Sequence, residues 1–482
     1  MIELRVSEIA DVLGARVVGG GDPEALVTQV SADSRVVEPG TLFVALRGER
    51  TDGHTYVAAT ADLGSVAALT SRPVDGGLCL VVTDPLVALG RLARHLVDLG
   101  RTAGLGVVGI TGSQGKTSTK DLLAQVLEHA GPTVAPVGNL NNELGVPLTI
   151  TRIDRHTRFL VAEMGARGIG HIAYLCDIAA PQVGVVLNVG HAHVGEFGGQ
   201  AAIAVAKGEL VESLPSTGWA VLNADDPLVW AMRDRTPARV MAFAVDREPA
   251  APAVWATDLV SDGLGRYRFQ LHRSPTEQSR SQSPVEVQLR SAGRHQVGNA
   301  AAAAAAAVTL GLDLTVIAAG LSGATTRSRW RMELHECADG VLVINDAYNA
   351  NPDSMRAAVA TAAELGGNRP GRTWAVLGDM LELGEDAATE HTGIGRFVAE
   401  AGIDRLLAIG TFAADLVDGA RDAGLSSAMI VSGSAEAADR VLTELGPGDV
   451  VLVKASRGLA LNTVADEIVS RVGPVEGCEE NL

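Results

Sequence analysis

The chain has 482 residues, too many for one hydrophobic core, so two to three domains are expected. Its net charge of −18 argues against nucleic acid as the main partner, because binding a polyanion relies on clustered lysine and arginine. No apolar stretch is long enough to span a bilayer, and Met1-Ile2-Glu3-Leu4-Arg5 lacks a basic-then-apolar export signal; the expectation is a cytoplasmic protein without membrane insertion.

The segment 1–101 reads as a small α/β unit. Ser7 is placed to cap a short helix through Leu13, with Gly14 as its stop. Leu42–Leu46 and Leu80–Val82 read as strands and Leu86–Leu99 as an amphipathic helix. Cys79, Cys176, Cys337 and Cys478 are scattered, which fits reduced thiols rather than a disulfide frame or a zinc knuckle.

The segment 102–326 opens with the most informative stretch of the chain. An apolar run, Leu105–Ile110, leads into Thr111-Gly112-Ser113-Gln114-Gly115-Lys116-Thr117-Ser118, and a helical pattern follows at Leu122, Leu123, Val126 and Leu127. Strand, glycine-rich turn and helix is the setting of a phosphate-binding loop. Its glycines let backbone N–H groups converge on an anion at a helix N-terminus. Lys116 would reach the β- and γ-phosphates, and the Thr117 hydroxyl would hold Mg²⁺. Ile110 fills the position where the common pattern has glycine, so the loop is a variant. The bland alternative is a tight turn with a surface lysine. Gly104, Gly106 and Gly109 have dinucleotide-fingerprint spacing but precede the turn, so a nicotinamide site is rejected.

Strand–helix alternation is expected to continue to the end of this unit. Phe159–Ala162 reads as a strand ending at Glu163, and Val183–Val189 as another running into Gly190-His191-Ala192-His193. Ligands sit beyond the carboxyl ends of such strands, where a carboxylate and an imidazole suit divalent cations. A surface carboxylate and a structural histidine are the alternatives. Lys207 reads as a solvated helix lysine. Ser274–Pro284 reads as an exposed hairpin loop, Asn299 as an N-cap or a nucleotide-base contact, and Ala300–Ala307 as strongly helical.

The segment 327–482 alternates strands (Val341–Asn345, Trp374–Leu377, Leu406–Ile409, Met429–Val431, Val450–Val453) with helical patterns such as Ser354–Leu365 and Ile394–Ala401, predicting a parallel sheet covered on both faces. Three polar loops follow strands: Asp346–Met355, Gly378-Asp379-Met380 and Lys454–Gly458. They suggest one substrate-facing edge.

In order along the chain, Asp33-Ser34-Arg35, Thr111–Thr117, Asn139-Leu140-Asn141-Asn142-Glu143, Glu163-Met164-Gly165, Ala192-His193, Lys207-Gly208-Glu209, Gly293 to Ala300 and Asp346–Met355 resemble the Mur ligases. The resemblance implies an α/β, three-domain architecture: a UDP-substrate-binding N-terminal domain, a central P-loop ATPase domain with a parallel sheet, and a C-terminal Rossmann-like domain. It implies an ADP-forming ligase that uses ATP and Mg²⁺ to join D-alanyl-D-alanine to UDP-N-acetylmuramoyl-tripeptide through an acyl phosphate, acting as a monomer in peptidoglycan synthesis. Gly112 to Ser118, Asn299, Asp346, Asn349 and Asn351 would meet the nucleotide, and Arg331 its phosphates. Thr117, Glu163 and His193 would hold magnesium, with His191 a rival ligand. Lys207 matches a lysine that the family carries as a carbamate. Ser34, Arg35, Asn139, Asn141 and Asn142 would serve the substrate. Addition of a single amino acid, a P-loop kinase and a nucleotide-binding regulator are the alternatives.

Overall fold

The structure, a computed structural model, describes residues 1–48, 51–190, 199–275 and 283–475. His191, His193, Cys478 and most of the Ser274–Pro284 loop therefore lie outside the described residues. The described residues form a five-stranded, a nine-stranded and a six-stranded sheet, with a two-stranded ribbon near the N-terminus.

In the five-stranded sheet Gln29–Ser31, Thr41–Val44, Ala67–Thr70 and Cys79–Val81 run parallel, and Arg16–Val18 closes one edge antiparallel. The preceding helix Val6–Leu13 stops at Gly14 in the left-handed region (φ 60°), as predicted. Its N-cap is Arg5, not Ser7: Arg5 N donates to Glu8 Oε2, and the Ser7 hydroxyl is drawn away to Glu24. The helix Pro85–Thr102 starts cleanly because Asp84 Oδ1 accepts from Leu86 N and Val87 N, and proline occupies the first turn. It buries Ala88, Leu89, Leu92, Leu96 and Val97 in a core shared by the first sheet and one face of the second, joining the two units.

Gly106–Thr111 lies inside the nine-stranded sheet, between Phe159–Glu163 and Val183–Val186. Parallel pairing continues outward through Trp219–Asn223 and Arg239–Val245 to Ala253–Ser261. There the predicted alternation fails. Ala253–Ser261, Arg266–Arg273 and Val285–Ala292 form an antiparallel meander, with no intervening helix among the described residues. The helix His295–Thr309 packs its alanine run against this sheet. Ala300 to Ala307 are all fully buried, since methyl-sized side chains let the helix approach closely. Its N-cap is Arg294, so Asn299 lies inside the helix rather than at its start.

In the six-stranded sheet, Leu342–Asn345, Val450–Lys454, Thr373–Gly378, Arg405–Ile409 and Ala428–Ile430 run parallel as predicted. An antiparallel edge strand, Glu333–Glu336, was not foreseen. All four of its residues are half-buried, so it lacks the apolar alternation that would mark it. Among the described residues no helix is long and apolar enough to cross a membrane.

Candidate active site

The carboxyl ends of the central parallel strands open into a cleft of about 730 Å³, whose opposite wall comes from the six-stranded unit. The phosphate-binding loop forms its floor. The helix Lys116–Glu128 begins right after Gly115, whose φ of +79° is left-handed. A Cβ there would sit 2.4 Å from Asn299 Oδ1, so both conformation and space require glycine. Asn299 thus supports the loop from beneath, and its Oδ1 also accepts from the Thr119 hydroxyl at 3.3 Å.

Strand Val183–Val186 ends earlier than predicted, and Asn188 beyond it fastens the loop. Asn188 Oδ1 accepts from Gln114 N (3.0 Å), Asn188 Nδ2 donates to Gln114 O (3.2 Å), and Asn188 O accepts from Ser113 N (3.1 Å). Ser113 Oγ in turn accepts from Gly190 N at 2.9 Å. With its shape fixed by these partners, the loop keeps its remaining amides for a ligand. Asn188 carried no motif that could have marked it, and the predicted strand Val183–Val189 had absorbed it.

Lys116 Nζ donates to Gly112 O at 2.7 Å, folded back over its own loop. Withdrawal from water lowers its pKa; Glu163 opposes that shift and Arg331 adds to it. Glu163, 1% exposed, ends the neighbouring strand. Its Oε2 accepts from the Thr117 hydroxyl (2.8 Å) and its Oε1 from Asn141 Nδ2 (2.8 Å). A buried carboxylate beside a hydroxyl, both at the phosphate loop, is a donor set that suits a hard cation such as Mg²⁺. Asn142 Oδ1 accepts from Gly145 N at 2.8 Å in the turn before the helix Gly145–Ile150, while Asn139 lines the cleft from an exposed position.

Lys207 departs from its predicted setting. It is 5% exposed, not solvated, and lines the cleft. Burial, reinforced by the positive charge of Lys116, pushes its pKa well below that of a free lysine, so its neutral amine forms more readily than that of a solvated lysine.

From the opposite wall comes Arg331. It is flanked by Trp330 (φ 60°) and Met332 (φ 52°), both left-handed without being glycine. Such backbone persists only where the surroundings enforce it. Here Met332 N donates to Asp346 Oδ1 (3.1 Å) and Tyr348 N to Trp330 O (3.2 Å). The Arg331 guanidinium lies 4.2 Å from the centre of the Tyr348 ring. Asp346 pairs with buried Lys454 at 2.6 Å, and Lys454 also donates to Asn349 O at 2.9 Å. Asn351 forms a capping box with Ser354 at the start of the helix Pro352–Gly367. Asp346, Asn349 and Asn351 all line the cleft, and the side chains of Asp346 and Asn351 also hold the shape of their loop. The two walls meet closely: a Cβ on Gly190 would lie 2.1 Å from Asp353 Oδ2.

The fold therefore brings Ser113 to Ser118, the Asn139–Asn142 loop, Glu163, Lys207, Asn299, Arg331 and the Asp346–Asn351 loop to one cleft. Ser34 and Arg35 stand apart from it in the first unit. Arg35 forks onto Asp33, with Nε to Oδ1 at 2.9 Å and Nη2 to Oδ2 at 2.7 Å, and these bonds hold the Asp33 carboxyl down at about 2.

Family models match most of the chain: "Mur ligase family, catalytic domain" over residues 26–93, "Mur ligase middle domain" over 110–307, and "Mur ligase, glutamate ligase domain" over 330–457. The UDP-N-acetylmuramoyl-tripeptide--D-alanyl-D-alanine ligase of Mycobacterium tuberculosis is 42% identical, over 98% of this chain and 98% of its own. The Bacillus subtilis enzyme of the same name is 31% identical, over 97% and 99%. Among solved structures, MurF from Acinetobacter baumannii superposes with a TM-score of 0.86 at 33% identity, covering 97% of this chain and 99% of that one. The MurF ligase of Thermotoga maritima in complex with ADP gives 0.76 at 28% identity, over 92% and 98%.

Proposed function

The chain belongs to the Mur ligase family, and from that premise we infer that it is the ATP-dependent ligase that joins D-alanyl-D-alanine to UDP-N-acetylmuramoyl-tripeptide. The product is UDP-N-acetylmuramoyl-pentapeptide for peptidoglycan synthesis. The observation that carries this reading is the cleft itself. A phosphate loop with Lys116, Thr117 and Glu163 on one side faces Arg331 and the Asp346–Asn351 loop on the other.

The chemistry follows from what a carboxylate lacks, which is a leaving group. Its oxygen attacks the γ-phosphorus of ATP, the bond to the β,γ-bridging oxygen breaks, and ADP departs. The acyl phosphate that results is attacked at carbon by the free amine of D-alanyl-D-alanine. The tetrahedral adduct expels phosphate, the nitrogen gives up its proton, and an amide remains. Protein groups act here by positioning and by neutralising charge, so no protein nucleophile is needed.

Gly112 to Ser118 cradle the triphosphate, Lys116 reaches the transferred group, and Arg331 meets it from across the cleft. Asn299 would serve the nucleotide from beneath the phosphate loop, toward its adenine region, with Asp346, Asn349 and Asn351 reaching it from the third unit. Thr117 and Glu163 would hold Mg²⁺, which when bound neutralises phosphate charge; the third ligand of this reading, His193, lies outside the described residues. Ser34 and Arg35 serve the uridine end of the substrate, while Asn139, Asn141 and Asn142 serve the end that reacts. The units 1–101, 102–326 and 327–482 then divide the work into substrate holding, nucleotide binding and closure. One chain supplies both walls, so a monomer suffices, and its nucleotide substrates place the reaction in the cytoplasm.

Lys207 fits a carbamate. Its amine, in the neutral form, attacks the carbon of CO₂, a proton leaves to water, and an anionic oxygen-bearing group forms where the cation Lys116 stands nearby.

Phosphate release is the test. It is expected to require ATP, UDP-N-acetylmuramoyl-tripeptide and D-alanyl-D-alanine together. ADP with a stable phosphorylated product, or turnover with a single amino acid in place of the dipeptide, would refute the assignment.

A further inference from the structure

Lys207 is followed by Gly208, an unfavourable residue for the interior of the helix Gln200–Glu212. No positive φ requires glycine there. The requirement is spatial. A Cβ on Gly208 would lie 2.1 Å from Arg235 Cζ, 2.1 Å from its Nη1 and 2.3 Å from its Nη2, so the guanidinium rests flat on the helix backbone. From that position Arg235 Nη1 donates to Ala204 O (3.0 Å), Nη2 to Val205 O (3.0 Å) and Nε to Glu212 Oε1 (2.8 Å). All three acceptors belong to the helix that carries Lys207. The next residue, Thr236, adds a bond from its hydroxyl to Val211 O at 2.7 Å.

A second brace acts beside the first. Glu209 Oε1 accepts from Gly170 N at 2.5 Å and Oε2 from Ala173 N at 3.0 Å, at the start of the helix His171–Ala179. The loop leading into that helix begins directly after Glu163 and lines the cleft with Gly165, Ala166 and Arg167. The turn bearing Lys207 is thus registered against the end of the strand that carries Glu163.

We propose that Arg235 is a positioning residue for Lys207, and that Gly208 is present to admit its guanidinium. Glu209 fixes the same turn from the side of Glu163. The inference rests on the reading of Lys207 given above. Arginine suits the role because its planar fork meets two successive carbonyls in one fixed geometry, whereas a lysine at 235 offers a point charge on a flexible stem.

Gly208→Ala, Arg235→Met, Arg235→Lys and the double variant Gly208→Ala/Arg235→Met test the proposal in the full-length enzyme. Alanine is the better helix former and the displaced atoms are the end of a flexible side chain, so Gly208→Ala keeps its thermal midpoint. Its kcat is nevertheless expected to fall about 10–100-fold, with KM for ATP little changed, because a buried group that lines the reaction cleft has been moved. Its carbamate signal, read by carbon-13 resonance with labelled bicarbonate, weakens in parallel. Arg235→Met behaves alike, Arg235→Lys recovers part of the loss, and the double variant is no worse than Arg235→Met alone. Wild-type kcat and carbamate signal in Gly208→Ala, or losses that multiply in the double variant, would overturn the proposal. If the unmodified wild type shows no carbamate signal, the carbamate reading of Lys207 fails, and coupling in kcat between positions 208 and 235 still decides for or against the brace.

Discussion

Lys116→Met is expected to lower both phosphate release and amide formation by about 10²–10³-fold while the protein stays folded, the range seen when one preorganised donor is removed from a site of developing charge. Lys116 opens the helix that follows the phosphate loop, and Nζ now rests on Gly112 O at 2.7 Å. That contact is local and weak enough to exchange for a phosphate oxygen. Methionine keeps the straight stem and its helix propensity, so packing and the helix start are retained. Removing an ammonium whose desolvation already lowers its pKa lifts a cost from the folded state, and the thermal midpoint should not drop. The two products must fall together, because the amide forms only from the acyl phosphate. Wild-type turnover, or retained phosphate release with the amide lost, would be incompatible with this scheme.

The second large effect concerns Lys207. Lys207→Met should lower kcat by about 10²–10³-fold, on the same electrostatic grounds. A separate signature distinguishes a carbamate from a plain lysine. Wild-type enzyme equilibrated in CO₂-free buffer should lose activity and regain it with bicarbonate, whereas Lys207→Met should not respond. The pH dependence has a definite sign. Carbamate formation needs the free amine, and the folded-state pKa lies well below the usual lysine value of 10.5. The modification therefore persists as pH falls through 10.5, where a solvated lysine becomes protonated, and is lost once pH drops through the depressed pKa. Activity that is indifferent to CO₂ at every pH would rule the carbamate out.

The contrast between these two lysines shows what the sequence reveals. Lys116 is legible because every cue is local: an apolar run, two glycines, and a helical period within about twenty residues. The parallel strands of the third unit are legible for the same reason. Lys207 was misread as solvated because the helix Gln200–Glu212 is nearly apolar all round, with alanine, isoleucine, valine and leucine on every side. Such a helix gives no period to say which face is buried. Asn188 was missed because its partners lie 74 residues away and are set by strand order, which no local pattern encodes. Asn299 looked like a cap because asparagine often is one; the helix begins four residues earlier, and close packing under Gly115 gives it another task. The antiparallel meander Ala253–Ala292 escaped notice because strand direction depends on connections rather than on composition. The resemblance to a family supplied the roles across the cleft, which neither period nor spacing could assign to Arg331.

The central claim is that the substrate carboxylate takes the γ-phosphoryl group of ATP before the amine attacks. The most direct measurement labels both oxygens of that carboxylate with oxygen-18, runs the reaction to completion with ATP and D-alanyl-D-alanine, and weighs the released phosphate. Transfer of a single heavy oxygen into each phosphate is the predicted result, since the bond formed in the first step is the one that leaves with phosphorus in the second. Phosphate free of label, with amide formed in full, would contradict it.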